Sequence, residues 1–294
     1  MVRPRSVVYG RSRLKFNSSK PLTTGSIQTN ARFEFIHDES SGRTRIAQRR
    51  AGGLCSVSKP YWDRGVLGLQ LVNPTAGLFS GDELGMEVTI GDRAQVALTS
   101  PSATRFHTMP EGQAFITQEF HVGNESWLDF WPEIVIPQKD SDVIQLTKIH
   151  LKKGASMVFF DSLAPGRIAH GESYRFRRLE TRMAVSVDGE LVAKERCVLS
   201  PESGRWPLHV PDWDVCYYGA IWIAGPQAAA VIDDLQADGF GDSHSHFGAS
   251  LLSDQLGVVR IVSPSSLLLR KATSHFREVM KNHLPLLHMS FRKI

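Results

Sequence analysis

Two histidines separated by a single residue, His244 and His246, are the most direct sign of metal chemistry in the sequence, and Asp242 lies close by. On an extended strand, residues i and i+2 point to the same face, so the two imidazoles could bind one ion together. The surrounding segment GFGDSHSHFG is bounded by glycines, however, which favours a polar surface loop. The sequence therefore leaves two interpretations of this segment open, a metal-ligand pair and a surface loop.

The motifs by which common catalytic sites are recognised are absent from the sequence. It contains no GxSxG nucleophile turn, no HExxH zinc motif and no GxxxxGK[ST] phosphate-binding loop. The three cysteines lie far apart, and none belongs to a recognisable nucleophile motif. We therefore expect that this chain is not an enzyme.

The cysteines and the hydropathy pattern also indicate a cellular compartment. Cys55, Cys197 and Cys216 cannot all be paired in disulfides, which suits a reducing environment. No run approaches the roughly 18 consecutive apolar residues of a membrane-spanning helix, and the N-terminus lacks the apolar core of a secretory signal. We expect a cytoplasmic location and no membrane contact.

Basic residues are concentrated at the two ends of the chain. Residues 1–20 contain six basic and no acidic side chains, and residues 270–294 contain six basic and one acidic. The formal net charge is only +4, so the middle of the chain is acidic overall. The ends lack the interleaved aromatics of a nucleic-acid-binding module, and we expect no nucleic-acid partner. We interpret residues 1–30 as a flexible basic arm, with an arm that docks on an acidic partner as the alternative, and residues 31–294 as one domain.

The elements that must position any site are mostly β-strands. Short runs of alternating polarity, joined by turns, extend from about residue 31 to residue 200 and indicate antiparallel strands. The turn glycines Gly91, Gly123, Gly154 and Gly189 recur at intervals of 32, 31 and 35 residues, which indicates stacked units. We predict a mainly β fold in which antiparallel hairpins stack into a β-helical or sandwich-like body. The predicted strands include residues 86–90, 95–100, 115–122, 127–131, 143–151, 156–160 and 182–187.

The last third of the chain predicts two helices near the C-terminus. Pro226 precedes the apolar-patterned run QAAAVIDDLQAD, which stops at Gly239, and proline-first, glycine-last is typical of a helix. A second run, from about Ser265 to Leu284, repeats its apolar residues at helical spacing and is ended by Pro285. Between them, GASLLSD and LGVVRIV predict one β-hairpin.

Several short motifs follow one another in the order and at the spacing of a known protein family. They are NPTAGLFSGDEL at 73–84, GDRAQVALTS at 91–100, PSATRFHT at 101–108, LDFWPEIVIP at 128–137, GRIAHGE at 166–172, ELVAKERCVL at 190–199, GAS at 248–250 and VVRIV at 258–262. Through them the chain resembles the UreD (UreH) family of urease accessory proteins over about residues 31–284. No single motif is specific, and their collinear order carries the resemblance. The chain departs from the family pattern at Ser80, at His107 and in its ending HMSFRKI.

The resemblance implies a non-catalytic scaffold in the cytoplasm that takes part in nickel insertion. Its implied partners are the urease apoprotein and two further accessory proteins, UreF and the GTPase UreG, in a hetero-oligomeric complex. Nickel(II) would be in transit, and no cofactor would be tightly bound. The family fold that the resemblance implies is a β-helical body with C-terminal helices.

The resemblance also implies an internal, water-filled nickel path. A conduit must release its ion, which favours scattered oxygen ligands over a closed cage of imidazoles and thiolates. The candidates at matching positions are Asp82, Glu83, Asp161, Glu172 and Glu195, with Thr104, His107, His170, His244 and His246 as possible additional ligands.

Each carboxylate in that set also has a purely structural interpretation. Asp82 can cap the turn that contains Gly81 through backbone hydrogen bonds. Glu172 can form an ion pair with Arg167, and Glu195 can pair with a neighbouring basic residue. Isolated histidines more often have a structural, hydrogen-bonded role than a ligand role.

Two other functions remain as alternatives to the scaffold. A nickel-binding storage protein would use a tight site at His244 and His246. A metal-dependent hydrolase is less favoured, because the sequence lacks the motifs of such enzymes.

Overall fold

The structure is a computed structural model and describes residues 25–201, 210, 213–238 and 245–290. Within these residues eighteen strands form two sheets that face each other, and two helices cover the outer side of one sheet. The strands are β1 (Gln28–Asp38), β2 (Arg43–Arg50), β3 (Ser56–Val57), β4 (Tyr61–Asp63), β5 (Val66–Val72), β6 (Glu83–Ile90), β7 (Gln95–Thr99), β8 (Thr104–Phe106), β9 (Ala114–Val122), β10 (Trp127–Trp131), β11 (Val135–Pro137), β12 (Asp142–Leu151), β13 (Ser156–Leu163), β14 (Arg178–Val187), β15 (Glu190–Leu199), β16 (Tyr217–Ala224), β17 (His246–Ser253) and β18 (Leu256–Ser263).

The chain alternates between the two sheets as it advances. Sheet A has the strand order β15-β14-β12-β9-β6-β1-β2, and sheet B has the order β17-β18-β16-β13-β10-β7-β5-β3, with β4, β8 and β11 attached beside this path. From β5 to β14 the long strands fall in turn on sheet B and sheet A, so each coil of chain contributes one strand to each sheet. This is the arrangement of a β-helix.

The mainly β, β-helical body predicted from the sequence is confirmed, but the strand pairing within it differs from the prediction. Strands β1, β6, β9, β12 and β14 pair in parallel, as do β5, β7, β10 and β13. The antiparallel pairs lie outside this central stack, for example β14 with β15 and β16 with β18. Consecutive strands of one sheet are separated by a whole coil rather than by a hairpin turn, and this is why they run parallel. The prediction of stacked antiparallel hairpins is therefore corrected.

Three turn glycines of the predicted repeat, Gly91, Gly123 and Gly154, lie at one corner of successive coils, whereas Gly189 lies in the hairpin turn between β14 and β15. The Gly91 N–H donates to the carbonyl of Phe35, and the Gly123 N–H donates to the carbonyl of Ile90, each at 2.8 Å. Gly154, at the next corner, has a φ of 71°, a value that residues with side chains rarely adopt. The repeat seen in the sequence is therefore one coil of the body, and its corners are hydrogen-bonded to one another.

Apolar side chains from both sheets form the core between them. Phe120 of sheet A contacts Phe130 and Phe159 of sheet B, with ring centroids 5.1 and 5.5 Å away. Phe130 and Phe159 are stacked on each other at 4.6 Å. All three rings are buried, so the centre of the body is a packed aromatic core.

The two predicted helices are confirmed. Helix α1 (Ala228–Ala237) follows Pro226, and helix α2 (Ser266–Met280) ends four residues before the predicted Leu284. The hydroxyl of Ser265 accepts a hydrogen bond from the N–H of Leu268 and so caps the start of α2. The predicted hairpin between the helices is also present, as β17 and β18. Single 3-10 turns are found at Ile168–His170 and Pro285–His288.

The predicted basic arm lies largely outside the described residues, which begin at residue 25. Strand β1 starts at Gln28, so the last residues assigned to the arm belong to sheet A. No helix in the part of the chain that the structure describes is long and apolar enough to cross a membrane.

Candidate functional site

A cavity of about 450 Å³ lies between sheets A and B at the later coils of the body. It is bounded by β12, β14 and β15 of sheet A and by β13, β16 and β18 of sheet B. Its polar lining includes Gln145, Thr147, Asp161, Glu195, Tyr218 and Arg260.

Strand alternation explains why these polar side chains point inwards. On β13, Phe159 faces the core between the sheets, and Asp161, two residues later, faces the same side. On β12, Thr147 occupies the inward position two residues before the buried Ile149. The same inward positions that hold phenylalanines in the middle of the body thus hold polar residues at the cavity.

A second, smaller cavity of about 110 Å³ adjoins the first. Asp161, Ser162 and Gln145 line both cavities, and Thr104 and Asn73 line the smaller one. We refer to the two cavities together as the passage. Asp161 lies where they meet, so a small ion in either cavity is close to this carboxyl group.

An ion pair spans the larger cavity. The guanidinium of Arg260 donates to both carboxylate oxygens of Glu195, with Nη1 to Oε1 at 3.4 Å, and also to the hydroxyl of Tyr218. Burial raises the pKa of Tyr218 to about 12, so its hydroxyl stays protonated. Burial and the nearby Glu195 also raise the pKa of Cys197, and its thiol remains a poor metal ligand at neutral pH.

Asp161 is the second carboxyl group of the larger cavity. Burial raises the pKa of Asp161 to about 7, and the negative charge of Glu195 contributes to the same shift. Among the described residues, no side chain forms an ion pair or a hydrogen bond with this carboxyl group, whereas Glu195 is paired with Arg260. A carboxylate that is largely shielded from solvent and has no protein partner is stabilised by a proton, water or a cation. The passage can therefore hold a cation through oxygen atoms without enclosing it in a rigid cage.

Asp82 does not line the passage but stabilises the turn in which it lies. Its side chain is 1% exposed. One carboxylate oxygen accepts the N–H of Ile27 and the other accepts the N–H of Phe79, each at 2.8 Å. The structural interpretation offered by the sequence therefore accounts for Asp82, because both of its oxygens are occupied by the backbone.

Glu83 and Glu172 also lie away from the passage. Glu83 begins β6 and points to the side of sheet A opposite Leu84, which lines the smaller cavity. Glu172 accepts a hydrogen bond from Nε of Arg167 at 2.8 Å, and this contact lowers the pKa of Glu172. The structure thus favours the ion-pair interpretation for Glu172 and an outward-facing position for Glu83.

The histidines near the family motifs are not gathered into one site. His107 stacks on Phe79 at 4.3 Å and donates a hydrogen bond to the carbonyl of Ala76. His170 is exposed at the end of a 3-10 turn. The structure therefore brings Asp161, Glu195 and Thr104 to the passage and leaves these two histidines outside it.

The histidine pair that opened the sequence analysis is described only in part. Asp242 and His244 lie outside the described residues. His246 is exposed at the start of β17, and its ring stacks on Trp213 with centroids 5.2 Å apart. The metal-ligand interpretation of His244 and His246 stays a prediction.

Sequence reasoning missed Arg260 and Tyr218 as residues of the site. Arg260 stands alone in the apolar strand VVRIV, and a single charge in such a run is the signal that could have identified it. Its partner Glu195 lies 65 residues earlier, so only the assembled sheets show that the two meet.

Comparison with known proteins places these features in a family. A family model described as UreD urease accessory protein matches residues 28–291. A urease accessory protein UreD of Opitutus terrae is 34% identical over 261 residues, which cover 86% of this chain and 94% of that protein. The chain belongs to the UreD family. Two further UreD proteins are also similar: that of Mycolicibacterium gilvum is 30% identical over 84% of this chain and 92% of its own length, and that of Klebsiella aerogenes is 25% identical over 84% and 88%.

The UreD match confirms the resemblance inferred from the sequence motifs. The matched residues include all the motifs from NPTAGLFSGDEL at 73–84 to VVRIV at 258–262. The UreD region also contains both carboxyl groups of the passage, Asp161 and Glu195.

Proposed function

We propose that this protein is a cytoplasmic metallochaperone scaffold that is required for nickel insertion into apo-urease. In this proposal it binds the urease apoprotein on one side and a complex of UreF and the GTPase UreG on the other. Nickel(II) moves through the passage between sheets A and B, and the chain itself catalyses no reaction. UreD membership supports the urease part of the proposal, since relatives of this chain are named as urease accessory proteins.

The observation that carries the nickel path is the placement of Asp161 and Glu195 in one cavity between the two sheets. Carboxylates and hydroxyls hold a borderline cation such as nickel(II) less tightly than imidazole and thiolate ligands do. Arg260 partly neutralises Glu195, which further reduces the attraction for a cation. These properties suit an ion in transit, because an ion that must leave again cannot be bound tightly.

The proposal is tested by urease maturation with variants of the two carboxyl groups. The urease subunits, UreF and UreG are expressed with either the wild-type chain or Asp161→Asn combined with Glu195→Gln, and nickel per urease active site is measured. Both substitutions keep the size and remove the charge. We expect nickel content to fall in the double variant. Glu190→Gln is the matched control, because Glu190 is exposed at the start of the same strand as Glu195.

Two readouts keep the result interpretable. Thermal unfolding establishes that the double variant is folded, and co-purification with urease and UreF establishes that it still enters the complex. Unchanged nickel content in a folded, complex-forming double variant would remove the nickel path from the proposal. Failure of the wild-type chain to co-purify with urease or UreF would remove the scaffold role as well.

A further inference from the structure

Two histidines and a glutamate meet on the outer face of sheet A, away from the passage. Glu119 and His121 are two residues apart on β9, so their side chains point to the same face. His150 of β12 is the parallel neighbour of His121 in the strand register. Phe120 and Ile149, which alternate with these residues, point into the core. The three polar side chains therefore share the opposite, solvent-facing side of the sheet.

The ligand atoms of this group converge. One nitrogen of His121, one nitrogen of His150 and one oxygen of Glu119 all lie within 4.8 Å of one another. Oε1 of Glu119 is 3.2 Å from Nε2 of His150 and 3.6 Å from Nε2 of His121. A tetrahedral ion with bonds of about 2.0–2.1 Å separates its ligand atoms by about 3.4 Å. The two distances from Oε1 are close to this value, and the two nitrogens lie within 4.8 Å of each other, so modest side-chain rotations would bring all three atoms to one ion.

Hydrogen bonding orients the ring of His150 for this role. Its Nδ1 lies 2.9 Å from the hydroxyl of Ser186, and that hydroxyl donates its single hydrogen to the carbonyl of Ile149 at 3.3 Å. Nε2 of the same ring lies within hydrogen-bond distance of Oε1 of Glu119, at 3.2 Å. Each ring nitrogen of His150 thus has a partner, and a second partner that holds the ring orientation is typical of metal-binding histidines. A bound metal ion would take the place of the hydrogen between Nε2 and the carboxylate oxygen.

Further charged side chains lie near the three candidate ligands. Of the nearest charged side chains, Glu87 on β6 is paired with Arg32, and Lys148 lies beside Glu119 in the strand register. The group thus offers two imidazole nitrogens and one carboxylate oxygen.

We propose that Glu119, His121 and His150 bind one divalent transition-metal ion, such as nickel(II) or zinc(II), on the outer face of sheet A. The mixed nitrogen and oxygen ligands suit these borderline metals. Three protein ligands leave at least one coordination position open to water or to a ligand from another molecule. This site is separate from the passage, since Asp161 and Glu195 lie on the inner side of the sheets. The proposal does not depend on the nickel path proposed above.

The test is isothermal titration calorimetry of the purified full-length chain, with nickel(II) alone in one experiment and zinc(II) alone in another. We expect the double variant His121→Asn with His150→Asn to lose one bound ion per chain. We expect Glu119→Gln to bind more weakly, because the amide oxygen carries no charge. His37→Asn is the matched control, since His37 lies on β1 of the same sheet and outside the group; it should bind as the wild type does.

A second readout separates metal binding from folding. In the proposal, added zinc(II) raises the melting temperature of the wild-type chain and of His37→Asn but not that of the double variant. Without metal, the melting temperature of the double variant stays near that of the wild type. Equal stoichiometry and affinity in the wild type and the double variant would overturn the proposal. So would loss of the ion on changing His244 and His246 instead, which would assign metal binding to that pair.

Discussion

Arg260 of β18 and Glu195 of β15 form an ion pair that joins sheet B to sheet A across the larger cavity, although 65 residues separate them in the chain. The same guanidinium also contacts the hydroxyl of Tyr218. Arg260 thus neutralises the charge of Glu195. It also links two strands that do not neighbour each other in either sheet. Asp161, which faces the same cavity, lacks such a partner among the described side chains.

Removal of the arginine should destabilise the protein. Arg260→Gln leaves the carboxylate of Glu195 without its cation beside Asp161. We expect a loss of about 1–2 kcal/mol in the free energy of unfolding, below the value for a fully buried pair because both side chains are partly exposed. Urea unfolding measures the loss. Adding Glu195→Gln should recover part of it, and an equally large loss in the double variant would argue against the ion pair as the cause.

Stability should depend on pH through Asp161. The pKa of this carboxyl group is raised from 3.8 to about 7 by burial, so the folded protein keeps a proton that the unfolded chain releases between these values. The stability linked to this proton is fully present below about pH 4 and is lost as the pH rises to about 7. Asp161→Asn stays neutral throughout. We therefore expect the variant to gain about 2 kcal/mol relative to the wild type between pH 5 and pH 7.

The measurement for Asp161 is urea unfolding of the wild type and the variant at several pH values. The difference in free energy of unfolding between the two proteins is taken at each pH. This difference cancels the contribution of the titratable groups that both proteins contain. A difference that does not change between pH 5 and pH 7 would show that Asp161 is ionised in the folded protein.

A buried ion pair should hold helix α2 to the body. Arg277 of α2 donates to both carboxylate oxygens of Asp129 on β10, and its guanidinium lies 4.7 Å from the ring of Trp131. Asp129 is 1% exposed, so Arg277→Met leaves a buried, unpaired charge. We expect a loss of about 3–5 kcal/mol in the free energy of unfolding. Arg270→Gln is the control, because its contact with Glu133 at 3.5 Å involves a largely exposed arginine.

A second variant tests whether the unpaired charge of Asp129 causes the loss of stability in Arg277→Met. Asp129→Asn in the Arg277→Met background removes the stranded charge and should restore part of the stability. Equal effects of Arg277→Met and Arg270→Gln on the urea midpoint would contradict a special role for the buried pair.

The strands and their turns could be predicted from the sequence because they depend on local patterns. Alternating polarity identified β6, β7, β9, β10 and β12, and the glycine intervals identified the coil. The direction of pairing could not be predicted, because side chains alternate with the same period in parallel and antiparallel strands. The parallel stack of β9 on β12 became visible only in the assembled sheet.

The candidate sites depended on contacts between distant residues, and sequence reasoning reached them only in part. Asp161 and Glu195 were selected through the family resemblance, but so was Asp82, whose carboxylate proved to be occupied by two backbone N–H groups. His121 and His150 are 29 residues apart, and neither strand alone suggests a ligand pair. One coil of the β-helix brings them side by side.

Nickel content of urease matured with a blocked passage tests the central claim most directly. Ala220 lines the larger cavity and pairs with Asp161 in the strand register, and the empty volume of about 450 Å³ can receive a phenylalanine there. Ala184→Phe, on the outer face of sheet A, is the matched control. We predict that Ala220→Phe still co-purifies with urease and UreF but yields urease with less nickel per active site than Ala184→Phe does. Equal nickel content in the two preparations would contradict a nickel path through the passage.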